Sequence, residues 1–123
     1  MAITYIKLFD SNHVDNASVE TLYTVPSTPS TTLLRNGRVR FTNVTGGAVL
    51  LDVYAVANAG SPTIANALLY QYSLAANSAL DIDIPVLGAG GTIRAQAGAA
   101  NSITAHGIDG VLAKLPQTTE TTT

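Results

Sequence analysis

The sequence predicts an all-β fold: an antiparallel, jelly-roll-like β-sandwich of about seven to nine short strands. Three observations carry that expectation. Apolar and polar residues alternate with period two in several short runs, as in a strand with one face buried and one wet. Gly, Pro, Asn and Ser punctuate the runs at about the 8–12-residue spacing of sandwiches and barrels. Helix signals are few, with one or two turns expected only over residues 63–69, after Pro62.

The runs can be taken in chain order. Val39-Arg40-Phe41-Thr42 alternates. Residues 48–56, Ala-Val-Leu-Leu-Asp-Val-Tyr-Ala-Val, are apolar on both faces apart from Asp52 and predict a central strand covered on both sides, or covered in part by another subunit. Tyr70-Gln71-Tyr72-Ser73-Leu74, Leu80-Asp81-Ile82-Asp83-Ile84, Ile93-Arg94-Ala95-Gln96-Ala97 and Ile103-Thr104-Ala105-His106 follow as strands. Turns are expected at Ser27-Thr28-Pro29-Ser30, Gly46-Gly47, Ala59-Gly60-Ser61-Pro62, Ala76-Asn77-Ser78 and Gly88-Ala89-Gly90-Gly91. Asn36-Gly37 is the strongest two-residue hairpin signal. The expected core is Ile6, Leu8, Leu22, Val39, Phe41, Val49, Leu51, Val53, Leu74, Leu80, Ile82, Ile84, Ile93, Ile103 and Ile108. Residues 1–115 form the expected single domain, and the Thr-rich residues 116–123 an expected flexible tail.

Composition narrows the function. The chain has 123 residues, of which 46% are hydrophobic and only 11% charged, with a net charge of −2. A chain of this size has room for one core. Without cysteine there is neither a disulfide scaffold nor a thiolate metal site. A small acidic domain lacks the clustered cations that general nucleic-acid binding needs. No run of 18 apolar residues suggests a membrane span, and the first residues lack the pattern of a signal peptide. Two glycosylation sequons, Asn16-Ala17-Ser18 and Asn43-Val44-Thr45, are expected to be coincidental in a chain rich in Ser and Thr. Ala and Thr supply 18 and 16 residues. Such a surface loses little charge hydration when it docks, so it suits assembly as well as mere bias of composition.

Few residues invite chemistry. Residues 10–16, Asp-Ser-Asn-His-Val-Asp-Asn, are densely polar, but counting a calcium loop from Asp10 puts Val14, Asp15 and Thr21 where oxygen, Gly and Glu are needed. A polar loop around His13 is expected instead. His106 falls on the outer face of its strand, and nearby Ser102 and Asp109 do not by themselves make a catalytic set. Asp81 and Asp83 share one strand face at i and i+2, as do Arg38 and Arg40. Paired carboxylates serve glycosidases, but no aromatic lies beside these. If the two strands are neighbours, the charges pair across them; if not, each pair is a charged stripe open to a partner. Arg35, Arg38 and Arg40 hold half the cationic side chains within six residues and suit an acidic protein surface better than nucleic acid. The glycines at 88–91 lack the following helix that a phosphate loop requires, so a tight turn is expected. No catalytic residue, cofactor or metal is expected.

One resemblance adds to this reading. Thr21-Leu22-Tyr23-Thr24-Val25-Pro26 resembles an opening found in small virion structural proteins of tailed bacteriophages. The order continues through Phe41-Thr42-Asn43, Val44-Thr45-Gly46-Gly47 and the apolar run 48–56. It continues in Leu74-Ala75-Ala76-Asn77-Ser78, residues 87–95 and residues 103–110, so it covers roughly residues 20–110. The motifs are short, and their order carries the weight. The resemblance implies a compact β-sandwich without enzymatic activity, located in the virion and assembled in the host cytoplasm. It further implies a capsid decoration or cement role, with major capsid protein or other virion proteins as partners and a homotrimer as the assembly. A tail, baseplate or fibre component, or a glycan-binding module, is the alternative. Two departures are the longer loop at 27–32 and the tail. Arg35, Arg38, Arg40, Asp81 and Asp83, with Thr118, Thr119 and Glu120 of the tail, are the expected interface residues; nucleic acid and membrane are not expected partners.

Overall fold

A computed structural model describes residues 2–114. It contains ten strands: β1 (Ala2–Ile6), β2 (Asn12–His13), β3 (Glu20–Thr24), β4 (Thr32–Asn43), β5 (Val49–Val56), β6 (Ala67–Leu74), β7 (Ala79–Ile84), β8 (Leu87–Gly88), β9 (Thr92–Ala97) and β10 (Ile103–Lys114). They form two antiparallel sheets. The first runs β1-β10-β4-β7, with β2 added on β10 and β8 on β4; the second runs β3-β9-β5-β6. The predicted β-sandwich is what the chain forms. The domain boundary at 115 and the tail lie outside the described residues.

The inner faces bury what alternation predicts. Phe41, Val39, Leu51, Val53, Ile93 and Ile103 are fully buried. Leu34, Val25 and Val14 join them, along with small alanines at 95 and 105. Ile6, Leu80 and Ile82 pack against this core from half-buried positions rather than within it. Ile108 is also half-buried, because β10 slips register between Gly107 and Asp109.

Two expectations need correction. Asn36-Gly37 is not a hairpin turn: β4 runs through it as one twelve-residue strand. Asn36 takes a positive φ of 54°, which Asn tolerates. Between its pairings with Val111 and Asp109, β4 spends three steps, Arg35 to Arg38, against two on β10. That is a β-bulge, and the extra residue shifts side-chain parity. As a result Arg35, Arg38 and Arg40 are all exposed although their numbers differ in parity. Likewise, residues 63–69 are not a helix of one or two turns. Only Ile64–Asn66 form a 3-10 turn. It is closed by the Asn66 side chain, whose Oδ1 accepts from Thr63 N–H at 2.9 Å and whose Nδ2 donates to Ser61 O at 2.9 Å. Ala67 to Leu69 already belong to β6.

β5 is interior in its sheet, between β9 and β6. Its two-sided cover is only partial: Tyr54 and Val56 are buried on the outer side, but Leu50 is 48% exposed. Asp52, the odd residue in this apolar run, has a structural task. Its Oδ1 accepts the Gln71 N–H at 2.6 Å. Gln71 has a φ of 51° and lies where β6 shifts register against β5. The carboxylate satisfies a backbone donor that the bulge removes from the ladder.

Candidate interface surface

The outer face of the larger sheet collects the charged residues. Register sets Arg38 opposite Asp83 and Arg40 opposite Asp81 on β7. On the other side of β4, Arg38 faces Asp109 and Arg40 faces His106. Two rows therefore cross three strands: Asp109, Arg38, Asp83 and His106, Arg40, Asp81. Of the two arrangements left open by sequence, the charges pair within the subunit. Arg40 donates twice to Asp81, Nε to Oδ1 at 2.6 Å and an outer nitrogen to Oδ2 at 3.0 Å. Arg38 Nε reaches Asp83 Oδ1 at a looser 3.4 Å. The hydrogen bond from Arg40 is the largest influence on the Asp81 carboxyl; with the charges of Arg40 and Arg38 it outweighs desolvation and holds the group below the ordinary carboxylate value. The same partner raises Arg40.

This gives a first test. Asp81 is expected to titrate below a normal aspartate in carbon-detected NMR, and Arg40→Gln to move it back up. The sign for stability follows: a carboxyl depressed in the folded state stabilises above its unfolded pKa, and that stabilisation is lost as pH falls through the folded value. The side chains are exposed, so salt should weaken the effect. Unchanged titration of Asp81 in the variant would break the assigned pair.

The carboxylates are thus engaged by guanidiniums rather than facing one another across a cleft. His106 is exposed, and Ser102, buried, spends its hydroxyl on Ala99 O at 2.6 Å. His13 is exposed in β2, a two-residue strand in what was expected to be only a loop, and pairs with Thr104. Glu20 organises that stretch: its carboxylate accepts from Asn12 Nδ2 at 2.8 Å and Asp15 N–H at 2.7 Å. The glycines at 88–91 make the expected tight turn into β9, with Gly90 at a φ of 79°. Thr118, Thr119 and Glu120 lie outside the described residues.

Sequence reasoning missed an apolar end of the same face. Register aligns Tyr5 with Val111 and Arg35, and Ile3 with Ala113 and Leu33. Tyr5 is 82% and Ile3 54% exposed. With Arg35 and Asn36 they line a cleft of about 250 Å³. The alternating Ile-Thr-Tyr at residues 3–5 could have signalled an edge strand. On the other sheet, Tyr70 and Tyr72 are 48% and 41% exposed along β6. Beside β6 a shallow groove of about 220 Å³ gathers Asn16, Asp52, Gln71 and Gln96 around Leu50.

No family model matches the chain, and no curated protein matches it. Solved structures do. The Gx strain of infectious bursal disease virus contains a chain that superposes with a TM-score of 0.53 at 16% identity, over 95% of this chain and 34% of that one. The T13 particle of the same virus matches with a TM-score of 0.53 at 15% identity, over 92% of this chain and 31% of the other. Its T=1 particles match with a TM-score of 0.53 at 16% identity, again over 92% and 31%. Identities this low establish likeness of fold. The protein spans about a third of the length of these chains, and its sandwich is the fold of a domain-sized part of chains from virus particles.

Proposed function

We propose that this chain is a non-enzymatic structural protein of a virus particle, and in particular a decoration or cement protein that stabilises the head lattice of a tailed bacteriophage. The observation that carries the virion reading is the fold match, which takes in nearly the whole chain and falls on chains of virus particles. The surface supports it. Ile3, Tyr5, Val44, Leu50, Ile64, Tyr70, Tyr72 and Val86 are large apolar side chains left substantially exposed, on a chain with 11% charged residues. Such a surface favours being covered. The phage assignment rests on the ordered motifs from residue 21 to 110. In this reading the partners are major capsid protein and other copies of the chain in a trimer. Arg35, the row of Arg38 and Arg40 with Asp81 and Asp83, and the tail residues Thr118, Thr119 and Glu120 serve as contacts. Several weak contacts on a lattice reinforce one another.

The test is reconstitution. Particles lacking the protein should regain heat resistance when it is added, and labelled protein should map to the head. Unchanged heat resistance with label on the tail would reject the decoration role and favour the second reading, a tail, baseplate or fibre module that binds glycans. One observation favours that alternative: a groove of amides and a carboxylate against β6, groups that suit bonding to sugar hydroxyls, with Tyr70 exposed on the same strand. A glycan array distinguishes it.

A further inference from the structure

We propose that β1 is a seam through which two copies of this chain pair edge to edge, antiparallel and centred on Thr4, so that their larger sheets become one. Four strands of five residues or more end the two sheets, β1, β7, β3 and β6, with the two-residue β2 and β8 beside them on the edges of the larger sheet. An open edge offers a free row of backbone donors and acceptors, and proteins usually blunt it with charge, proline or a bulge. Three of these edges are blunted. β7 carries Asp81 and Asp83 and runs into Pro85. β3 shifts register between Thr21 and Tyr23 and carries Glu20. β6 is bent at Gln71. β1, Ala-Ile-Thr-Tyr-Ile, has no charge and no proline, and its five pairs with β10 run without a shift. Among the described residues it has no neighbour on its other side.

The sequence of β1 is complementary to itself, which is why the occupant is a second copy. In an antiparallel pair centred on Thr4, Ile3 of each copy faces Tyr5 of the other, and Thr4 faces Thr4. Aromatic with β-branched and Thr with Thr are favoured cross-strand pairs. The outer rows then join across the seam: Arg35, Val111 and Tyr5 of one copy continue into Ile3, Ala113 and Leu33 of the other. Each row is a continuous apolar ribbon with its arginine at the far end, away from the axis. Of the two nearby cations, Lys7 just beyond the strand is occupied by Asp10 at 3.0 Å, and Lys114 stands one strand in from the seam, in register with Ala2. The seam is small. An aromatic side chain buries about 150–250 Å², so two copies of Tyr5 and Ile3 fall short of the ~1,200 Å² of a standard interface. Two free copies therefore associate weakly, and the contact gains where copies are already held close together.

The chain has no cysteine, which makes a register-specific test simple. Opposed Cα atoms in an antiparallel pair lie about 4.5–5.5 Å apart, inside the roughly 4.4–6.8 Å a disulfide spans. The two Tyr5 positions are diagonal, about 7–8 Å apart, and out of reach. Under mild oxidation of the isolated protein, Thr4→Cys should form a disulfide-linked dimer at least about tenfold faster than Tyr5→Cys, although both positions are exposed and open to random collision. Adding Ile3→Lys and Tyr5→Lys, both at exposed positions, should remove the Thr4→Cys crosslink while leaving the circular dichroism unchanged. Equal rates for the two cysteine variants, no dimer up to the solubility limit, or a crosslink indifferent to the lysines would each overturn the seam. The outcome is independent of which particle carries the protein.

Discussion

Replacing Gly107 with alanine is expected to cost about 2–3 kcal/mol of stability, and valine should prevent folding at ambient temperature. Gly107 is buried in β10, where β2 gives way to β1 along the same edge and the segment between them crosses over. Its N–H donates to Phe9 O at 3.2 Å. A Cβ there would collide with the Phe9 backbone nitrogen and sit 2.7 Å from its Cδ1 and 2.8 Å from Leu8 Cβ. A backbone atom has no rotamer to escape into, so residues 8 and 9 must lift away from β10. Leu8 is 3% exposed and part of the core, so lifting it also opens a void. Gly88→Ala is the control, because nothing lies within 4 Å of its Cβ position; it should change stability by less than about 0.5 kcal/mol. Denaturant titration of the two variants reads the difference directly. If both alanines cost the same, the close crossing at Gly107 is not what holds this segment.

The sandwich was legible because its core strands obey a two-residue period with little interruption. Val39-Arg40-Phe41 and Leu80-Asp81-Ile82 bury or half-bury the apolar members and expose the charged ones. Their pairing was left open for a physical reason: alternation fixes which face a side chain takes but not which strand lies beside it. Only register could show that Arg40 meets Asp81. The hairpin reading of Asn36-Gly37 failed because a positive φ serves a bulge as well as a type I′ turn. Gly37 is buried, with its Cβ position 3.2 Å from Ile84 Cβ, so close packing of β7 on β4 also uses that glycine. The buried alanines 95, 97 and 105 were missed from the core because small residues give little hydrophobic contrast along a strand. The exposed Tyr5 and Ile3 pattern was visible, but its meaning depended on β1 standing at an edge, which follows only from long-range pairing with the end of β10.

Asn43→Ala is expected to cost about 2–4 kcal/mol, more than its size suggests. Asn43 is fully buried at the end of β4. Its Nδ2 donates to Gly47 O and Leu74 O, each at 2.9 Å. Its Oδ1 accepts from Thr45 N–H at 2.9 Å and from the Thr45 hydroxyl at 2.8 Å. One side chain thus closes the turn at 44–47 and ties the first sheet to β6 of the second. Alanine leaves the Leu74 carbonyl buried without this partner, and a buried acceptor so deprived costs about 1–3 kcal/mol by itself. Engagement also explains the sequon Asn43-Val44-Thr45: both of its polar side chains are bound to the fold, so in the native protein it offers no free acceptor amide. Asn43→Asp makes a sharper test. An ionised carboxylate can accept from Thr45 but has no hydrogen for the Gly47 and Leu74 carbonyls, whereas the protonated acid has one. The folded state therefore holds the proton more tightly than the unfolded chain, where an aspartate titrates near about 3.9. Its pKa is raised on folding, so the variant is favoured below the unfolded value and loses stability as pH rises through the folded one. Its deficit relative to the parent should be smallest in acid and largest at neutral pH. A deficit independent of pH would mean that the carboxylate finds another donor, and that the two carbonyls do not depend on the amide of Asn43.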